Sequence, residues 1–585
     1  MASNQRKNEA WRKPQIQNPK SKIQNSRRQF LAAGAAGSLA LLAGCGASSS
    51  SNLPDGEIVG QSDALGHKLQ QGWRPVPSAD AWQDTQVVIV GGGIAGLSAA
   101  WRLLRAGFND FVVLELEQAP GGTSRSGRND VSMFPWAAHY VPAPQKEDRT
   151  LVRLLTEMRV IEGTSQAGQP IVAEQFLCRD PQERIFYKGQ WYEGLYLHAG
   201  ADAEDQRQFA AFMQDISRWV AWRDSKGRPA FALPVAAASD DADVQALDRI
   251  TMHDYLAQKG WTSPRLRWYV EYACRDDYGT LLPGTSAWAG LFYFCARVSK
   301  PGEEAEPLIT WPEGNGRIAD YLHAQVASRV KLAIAVTDIT GAPFSPPLQG
   351  EGPGERSVQV TAFDRAAGKA TGYRARRVIF AAPQFLARYL LAEYRDHPPE
   401  HIRQFEYSPW LVANLTLRDS PATPWRKTLD GRGFPVSWDN VLYESPSLGY
   451  VVATHQTDER GPTVLTWYHA FCESSAKDAR ALLLQGNWQH WAQVVLSDLE
   501  RAHPGIRSLV TRLDLMRWGH AMVRPRPGFI FSPARRQAAQ AVGNIHFAHT
   551  DLSGVALIEE ALYHGVRAAE DVLTALSLKP RETFL

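Results

Sequence analysis

Apolar and polar positions along this chain switch between two periods, and the switches mark out its elements. Near the front, Val87-Val88-Ile89-Val90 runs into Gly91-Gly92-Gly93 and then into Ile94, Leu97, Trp101 and Leu104 on one helical face. The β-branched run predicts a buried strand, and the spacing after it predicts a helix packed on that strand. A second strand, Phe111-Val112-Val113-Leu114, ends at Glu115. Helical spacing returns at Leu151/Leu154/Leu155/Met158, at Phe209/Phe212/Met213/Ile216/Trp219 and at Ile318/Leu322/Val326. Residues 332–339 alternate as a strand, and Val378-Ile379-Phe380 is a short strand turning at Ala381-Ala382-Pro383. Strands at 411–417 and 463–469 precede a helix over 488–501, and a last strand from Ile545 leads into a helical run ending near Leu573. Residues 342–357, rich in Pro and Gly, follow neither period and predict a flexible insertion between two strands.

The chemistry begins at the first strand-to-helix turn. Gly91-x-Gly93-x-x-Gly96 stands where a dinucleotide-binding turn requires glycine: Gly91 for the tight turn, Gly93 for backbone approach to a pyrophosphate, Gly96 for close helix–strand packing. The helix N-terminus at Ile94 and Ala95 offers free N–H groups and a positive dipole end to phosphates. Glu115 lies nineteen residues after Gly96, where a carboxylate accepts hydrogen bonds from both ribose hydroxyls and repels a 2′-phosphate. FAD and NAD fit this pattern and NADP does not. A second glycine pair in Gly121-Gly122-Thr123-Ser124-Arg125 allows another close backbone approach, with Arg125 a candidate phosphate partner.

The Leu114-Glu115-x5-Gly121-Gly122 stretch resembles the start of the flavin amine oxidase superfamily, and Asp551-Leu552-Ser553-Gly554 with the helix after it resembles that family's closing motif. The resemblance runs from about residue 84 to 575. It implies non-covalent FAD, because the family's flavin-linking cysteine is missing before the closing motif. It places the flavin face along residues 134–140, including Ala138 and His139, and the adenine against the backbone of Val336. It puts Asp551 at the ribityl–pyrophosphate region and the Ser553, Gly554 and Val555 backbone, up to Ala556, at the flavin O2, where a helix N-terminus stabilises negative charge. Trp311-Pro312-Glu313-Gly314-Asn315-Gly316 resembles the family's glycine turn near the flavin. The implied reaction is oxidation of a small substrate, an amine or polyamine first, by hydride transfer to flavin N5. The electron acceptor, oxygen or a carrier, is left open. The chain departs from the amine-oxidising pattern in two ways: no lysine lies between Lys369 and Lys427, and Val555 and Ala556 stand where an aromatic frames the amine. A desaturase or isomerase of an apolar alkene, or a non-catalytic FAD-bound scaffold, therefore stand as alternatives.

His139 and His520 are the candidate catalytic side chains, each suited to orient substrate or shuttle a proton near neutral pH, with a hydrogen-bonded structural histidine as the alternative. The Asp276-Asp277-Tyr278 trio reads as a solvated helix end in preference to a cation site. No Cys-x-x-Cys or His/Cys cluster exists, so no metal site is expected.

Lys plus Arg number 63 and Asp plus Glu 61, a balance that argues against an extended nucleic-acid surface. The basic residues are nonetheless uneven: eight of the first 28 residues are Lys or Arg against one Glu. Ser26-Arg27-Arg28-Gln29-Phe30-Leu31 and the Ala/Gly/Leu run after it read as a twin-arginine export signal engaging that export machinery. The run is short for a membrane span and ends in Leu42-Ala43-Gly44-Cys45, which resembles a lipoprotein box with Cys45 the lipidated residue. The expectation is an exported, periplasmic or cell-surface protein held to the membrane only by that lipid, with residues 46–83 a tether. The fold expected is α/β: a Rossmann-like FAD-binding domain from 84–145, 311–400 and 540–576, and an α+β substrate domain from 146–310 and 401–539.

Overall fold

The computed structural model describes residues 53–585 apart from 61, 299, 303–304, 342–356, 420–435, 458–460 and 579–580. The export signal, Cys45 and the body of the 342–357 insertion lie outside the described residues. The strands flanking that insertion, Ile334–Gly341 and Val358–Asp364, pair antiparallel, with Gly341 opposite Val358.

The architecture is mixed α/β around two large sheets. The first follows from the buried apolar runs. Trp82–Val90 lies between Phe111–Leu114 and Lys369–Phe380, parallel to both, with Ile89 opposite Val113 on one side and Ile379 on the other. Val87, Val88 and Ile89 have no solvent exposure, as a strand covered on both faces requires. Val330–Lys331 extends one edge, Val358–Asp364 and Ile334–Gly341 extend the other, and Ile545–Phe547 from the end of the chain pairs in parallel with Lys369–Phe380. The second sheet has eight strands, with Tyr407–Leu417 between Val510–Val523 and Thr463–Ala470. The helices Ala203–Ala221, Pro264–Tyr278 and Ala287–Cys295 form a separate apolar cluster around Phe212, Trp219, Trp288 and Phe292. In the first of these Phe212, Ile216 and Trp219 are buried as their spacing predicts, while Met213 is 39% exposed and faces away.

The front helix Ile94–Arg105 and the closing helix Ile558–Ala575 pack tightly against each other. A Cβ built on Gly565 would sit 2.0 Å from Ser98 Oγ and 2.2 Å from the Ala95 carbonyl oxygen, so the two backbones meet where only glycine fits. Arg102, with almost no exposure, ties the same pair together through Glu570 at 2.8 Å and the Glu582 carbonyl at 2.7 Å.

The expected tether is corrected from residue 53 onward. Ile58–Val59 adds to the edge of the second sheet, with Ile58 opposite Leu515, Asp63–Gln70 is a helix, and Trp82 already belongs to the first strand. The stretch is held because it carries apolar side chains to bury: Leu69 joins the core of the first sheet and Trp73 packs on Phe363, ring centroids 5.1 Å apart. No helix among the described residues is long and apolar enough to cross a membrane. Cys178, Cys274, Cys295 and Cys472 are free thiols.

Gly565→Ala tests the helix contact. Alanine gains about 1 kcal/mol of helix propensity over glycine. Overpacking against a backbone carbonyl that cannot swing away costs about 1–3 kcal/mol. A net fall in the thermal unfolding midpoint is expected; an unchanged or raised midpoint would show that the helices part freely.

Candidate functional site

The site is built at the carboxyl ends of the parallel strands, where open α/β sheets place ligands. Trp82–Val90 ends at Gly91, whose φ of +105° and whose nearest neighbour, the Ala381 carbonyl 2.7 Å from an ideal Cβ, both exclude a side chain. Gly96 packs beneath the turn, 1.9 Å from the Gly91 carbonyl by the same measure. The helix from Ile94 has no side-chain cap, so its first N–H groups have no intrahelical or capping partner. The second glycine pair docks on the first: Gly121 N–H donates to the Gly92 carbonyl at 2.8 Å, and Gly93 and Gly121 form a parallel bridge. Glu115 is 8% exposed and accepts the N–H of Gly92 at 2.6 Å and of Glu117 at 2.8 Å. Burial raises its carboxyl above the ordinary value, and the two N–H donors oppose the rise.

From this turn a single cavity of about 490 Å³ runs through the molecule. Gly91, Gly93, Ile94, Ala95, Glu115, Gly121, Gly122, Thr123 and Val336 line one half. Ala138, His139, His520 and Asp551 also line it, with residues 556–559 at the start of the closing helix. Two motifs some 450 residues apart in sequence thus face one space.

The expectations for Arg125 and for residues 553–555 are corrected. Arg125 does not line the cavity; its Nη2 lies 3.6 Å from Met516 Sδ, turned toward the second sheet. Ser553, Gly554 and Val555 also stand behind the wall. Ser553 Oγ bonds Glu560 and His564 Nε2, the latter at 2.7 Å, and Val555 is packed in the helical cluster. The physical reason is a turn: Gly554, at φ +82°, reverses the chain, and the helix starts only at Ile558, so residues 556–559 take the place expected for 553–555. Gly96 packs close beneath the turn, as its place in the motif predicts, and does not itself line the cavity.

Asp551 is 1% exposed and accepts the Tyr407 hydroxyl at 2.5 Å and the Gln384 N–H at 2.8 Å, with His549 Nδ1 3.0 Å away. Burial would raise its pKa, but His549, Tyr407 and Gln384 together hold it below the ordinary carboxylate value. His139 Nδ1 lies 2.8 Å from the Ala137 carbonyl, and its ring centroid is 5.1 Å from Tyr468 and 5.5 Å from Trp438. Burial pushes its pKa down to about 4, so the ring is neutral, Nδ1–H donates to Ala137 and Nε2 keeps a free lone pair. His520 stacks on Phe385 with centroids 4.0 Å apart and is likewise pushed down to about 4 by burial.

The Asp276–Asp277 pair is the largest correction. It ends the helix Pro264–Tyr278, but both residues line the cavity. Asp277 pairs with Arg297 Nη2 at 3.2 Å, and Arg297 Nη1 donates to the Tyr140 hydroxyl at 3.1 Å. Glu559, 3% exposed, joins the same wall. Asp276, Asp277 and Glu559 thus face one guanidinium, and burial raises all three carboxyls above their ordinary values. Sequence reasoning missed Arg297 and Glu559. The available signal was a pair of acids, Glu559-Glu560, placed directly after the apolar Val555-Ala556-Leu557-Ile558. Trp410, Tyr468 and Trp518 complete the wall, with the first two rings near-parallel at 14°.

The residues fit a dinucleotide. The glycine turns leave backbone free for phosphates, and Asn315 offers a buried Oδ1 with no partner while its Nδ2 donates to the Tyr140 carbonyl at 3.0 Å. Among the described residues no cluster of His, Cys, Asp and Glu is arranged to hold a metal ion.

Comparison with known proteins agrees with this architecture. The family of NAD(P)-binding Rossmann-like domains matches residues 89–158. Protein anon-37Cs of Drosophila lebanonensis is 52% identical over 48 residues, which are 8% of this chain and 9% of that protein, so the match spans under a tenth of the relative's length. Wild-type putrescine oxidase bound to putrescine shares the fold with a TM-score of 0.59 at 15% identity, over 84% of this chain and 100% of that one. Cyclohexylamine oxidase from Brevibacterium oxydans IH-35A aligns with a TM-score of 0.57 at 15% identity, over 85% and 100%. A CLA-producing fatty acid isomerase from P. acnes aligns with a TM-score of 0.57 at 13% identity, over 84% and 98%.

Proposed function

We propose that this chain is an FAD-dependent oxidoreductase that oxidises an amine or polyamine, with FAD held non-covalently. One observation carries the reading: the cavity that begins at the dinucleotide turn continues without a break into a pocket walled by aromatic rings and an excess of carboxylates. When bound, the flavin supplies a two-electron acceptor for a hydride from a substrate C–H bond. Gly91, Gly93, Ile94 and Ala95 with Gly121, Gly122 and Thr123 bind the pyrophosphate by backbone N–H groups, and Glu115 and Val336 hold the adenosine. Asp551 and the backbone of 556–559 hold the middle and far end. Asp276, Asp277 and Glu559 draw a cationic group into the pocket, and Trp410 and Tyr468 exclude water around it. His139, neutral, accepts a hydrogen bond from a substrate N–H at Nε2 without adding a positive charge that would repel the amine. His520 is the second orienting group.

A second reading, a desaturase or isomerase of an apolar alkene, draws support from the likeness to a fatty acid isomerase and from Val412, which lines the cavity on the strand Tyr407–Leu417 in the lysine-free stretch between Lys369 and Lys427. The carboxylate wall favours the amine.

The purified protein is expected to be yellow, to release flavin on acid treatment, and to bleach anaerobically with one member of a monoamine and polyamine panel. Bleaching by an apolar alkene and by no amine would establish the second reading. A flavin that no substrate reduces would leave a scaffold.

Asp276→Asn is expected to raise KM for a cationic amine by about tenfold with a smaller effect on kcat, the scale of one charge-assisted hydrogen bond. An unchanged KM would remove the acidic wall from recognition.

His139→Ala is expected to lower kcat/KM by about tenfold or more through lost orientation. Because burial holds the His139 pKa near 4, the wild-type pH profile is expected to lack the inflection near 6.5 of an ordinary imidazole. Full turnover in the variant would take His139 out of the reaction.

A further inference from the structure

One wall of the cavity comes from a segment outside both fingerprints. Leu65, Gly66, Leu69 and Trp73, on and just after the helix Asp63–Gln70, line it together with Glu115 and Val336. Leu65 and Leu69, one turn apart on the helix, face inward, and Trp73 follows after Gly72 turns the chain at φ +85°, while Asp63, Ala64, His67 and Lys68 are exposed. The segment is fastened at both ends. Before the helix, Ser62 donates from its N–H to Glu117 Oε1 at 2.9 Å and from its hydroxyl to Glu117 Oε2 at 3.1 Å. Glu117 follows Glu115 by two residues. After the helix, Arg74 Nη2 donates to the Tyr389 carbonyl at 2.7 Å, on the helix Gln384–Leu390.

We infer that residues 62–74 are a strap that forms part of the cofactor site, covering the adenosine half of a dinucleotide and lifting for the cofactor to enter or leave. The inference rests on the FAD reading above. Leu65 and Trp73 remain half-buried against the cavity, so an adenosine beneath them supplies the apolar contact that the protein itself does not. A bound dinucleotide and the strap then stabilise each other, and release waits on the fastenings at Glu117 and Tyr389.

The test is flavin release from the full-length holoprotein, followed as free-flavin fluorescence after dilution. Leu65→Asp places a charge against the adenosine and is expected to speed release at least about tenfold, with far-UV circular dichroism unchanged. Ser62→Ala and Glu117→Ala break one latch from its two sides. Glu117→Ala is expected to speed release about tenfold, Ser62→Ala less, and the double variant no more than Glu117→Ala alone, because the contacts are shared. Release unchanged in both Leu65→Asp and Glu117→Ala, from wild-type protein that holds flavin, overturns the strap and leaves the FAD reading standing. Wild-type protein that holds no flavin overturns the FAD reading and the strap with it.

Discussion

The structure depends on one close contact: the backbone of the closing helix against the backbone of the front helix at Gly565, Ala95 and Ser98. This contact brings the end of the chain to its beginning. The Ile545–Phe547 strand, the Asp551 turn and the helix from Ile558 take their positions from it, and so does the far wall of the cavity. A side chain at position 565 would force the helices apart, and the start of the closing helix would move relative to the glycine turn that it faces. The conformational demand of Gly91 and the close approach at Gly565 serve the same end, a gap between two helix N-termini where backbone N–H groups meet a ligand.

The pocket beyond that gap is governed by desolvation. Three carboxylates and one guanidinium share a wall with little solvent, and burial moves each carboxyl toward its neutral form. Arg297 offsets this for Asp277 by direct pairing. The same burial makes His139 and His520 neutral. In the proposed reading, a cationic guest favours the charged form of these carboxyls, and it can do so without breaking the Asp277–Arg297 pair. The aromatic rings around it, Trp410, Tyr468 and Trp518, keep water out and so strengthen every such interaction.

The strap shows the same economy at the other end. Its inner face, Leu65, Leu69 and Trp73, is apolar and lines the cavity, and Asp63, His67 and Lys68 on its outer face are exposed. It contains no glycine turn or titratable motif that marks a nucleotide site, and its composition is that of a linker.

By itself the sequence determined the two-period pattern, the strand–turn–helix at Gly91, Gly93 and Gly96, and the placement of Glu115. These are local: backbone conformation, steric room and buried apolar runs are set by neighbouring residues. The family resemblance pointed to Asp551 and to the segment that carries His139, and His520 stood as a further candidate. What only the tertiary structure decided is which side chains share a space. Arg125 turned toward Met516, a residue 391 positions further along the chain. The closing helix begins only at Ile558, after the positive-φ Gly554 reverses the chain, so residues 556–559 line the cavity in place of 553–555. Asp276 and Asp277 end a helix whose carboxyl end is buried against Arg297 rather than solvated. Residues 53–75 became a wall because Ser62 and Arg74 found partners 55 and 315 residues away. Contacts across such separations carry no local period, so they exist only once the chain has folded.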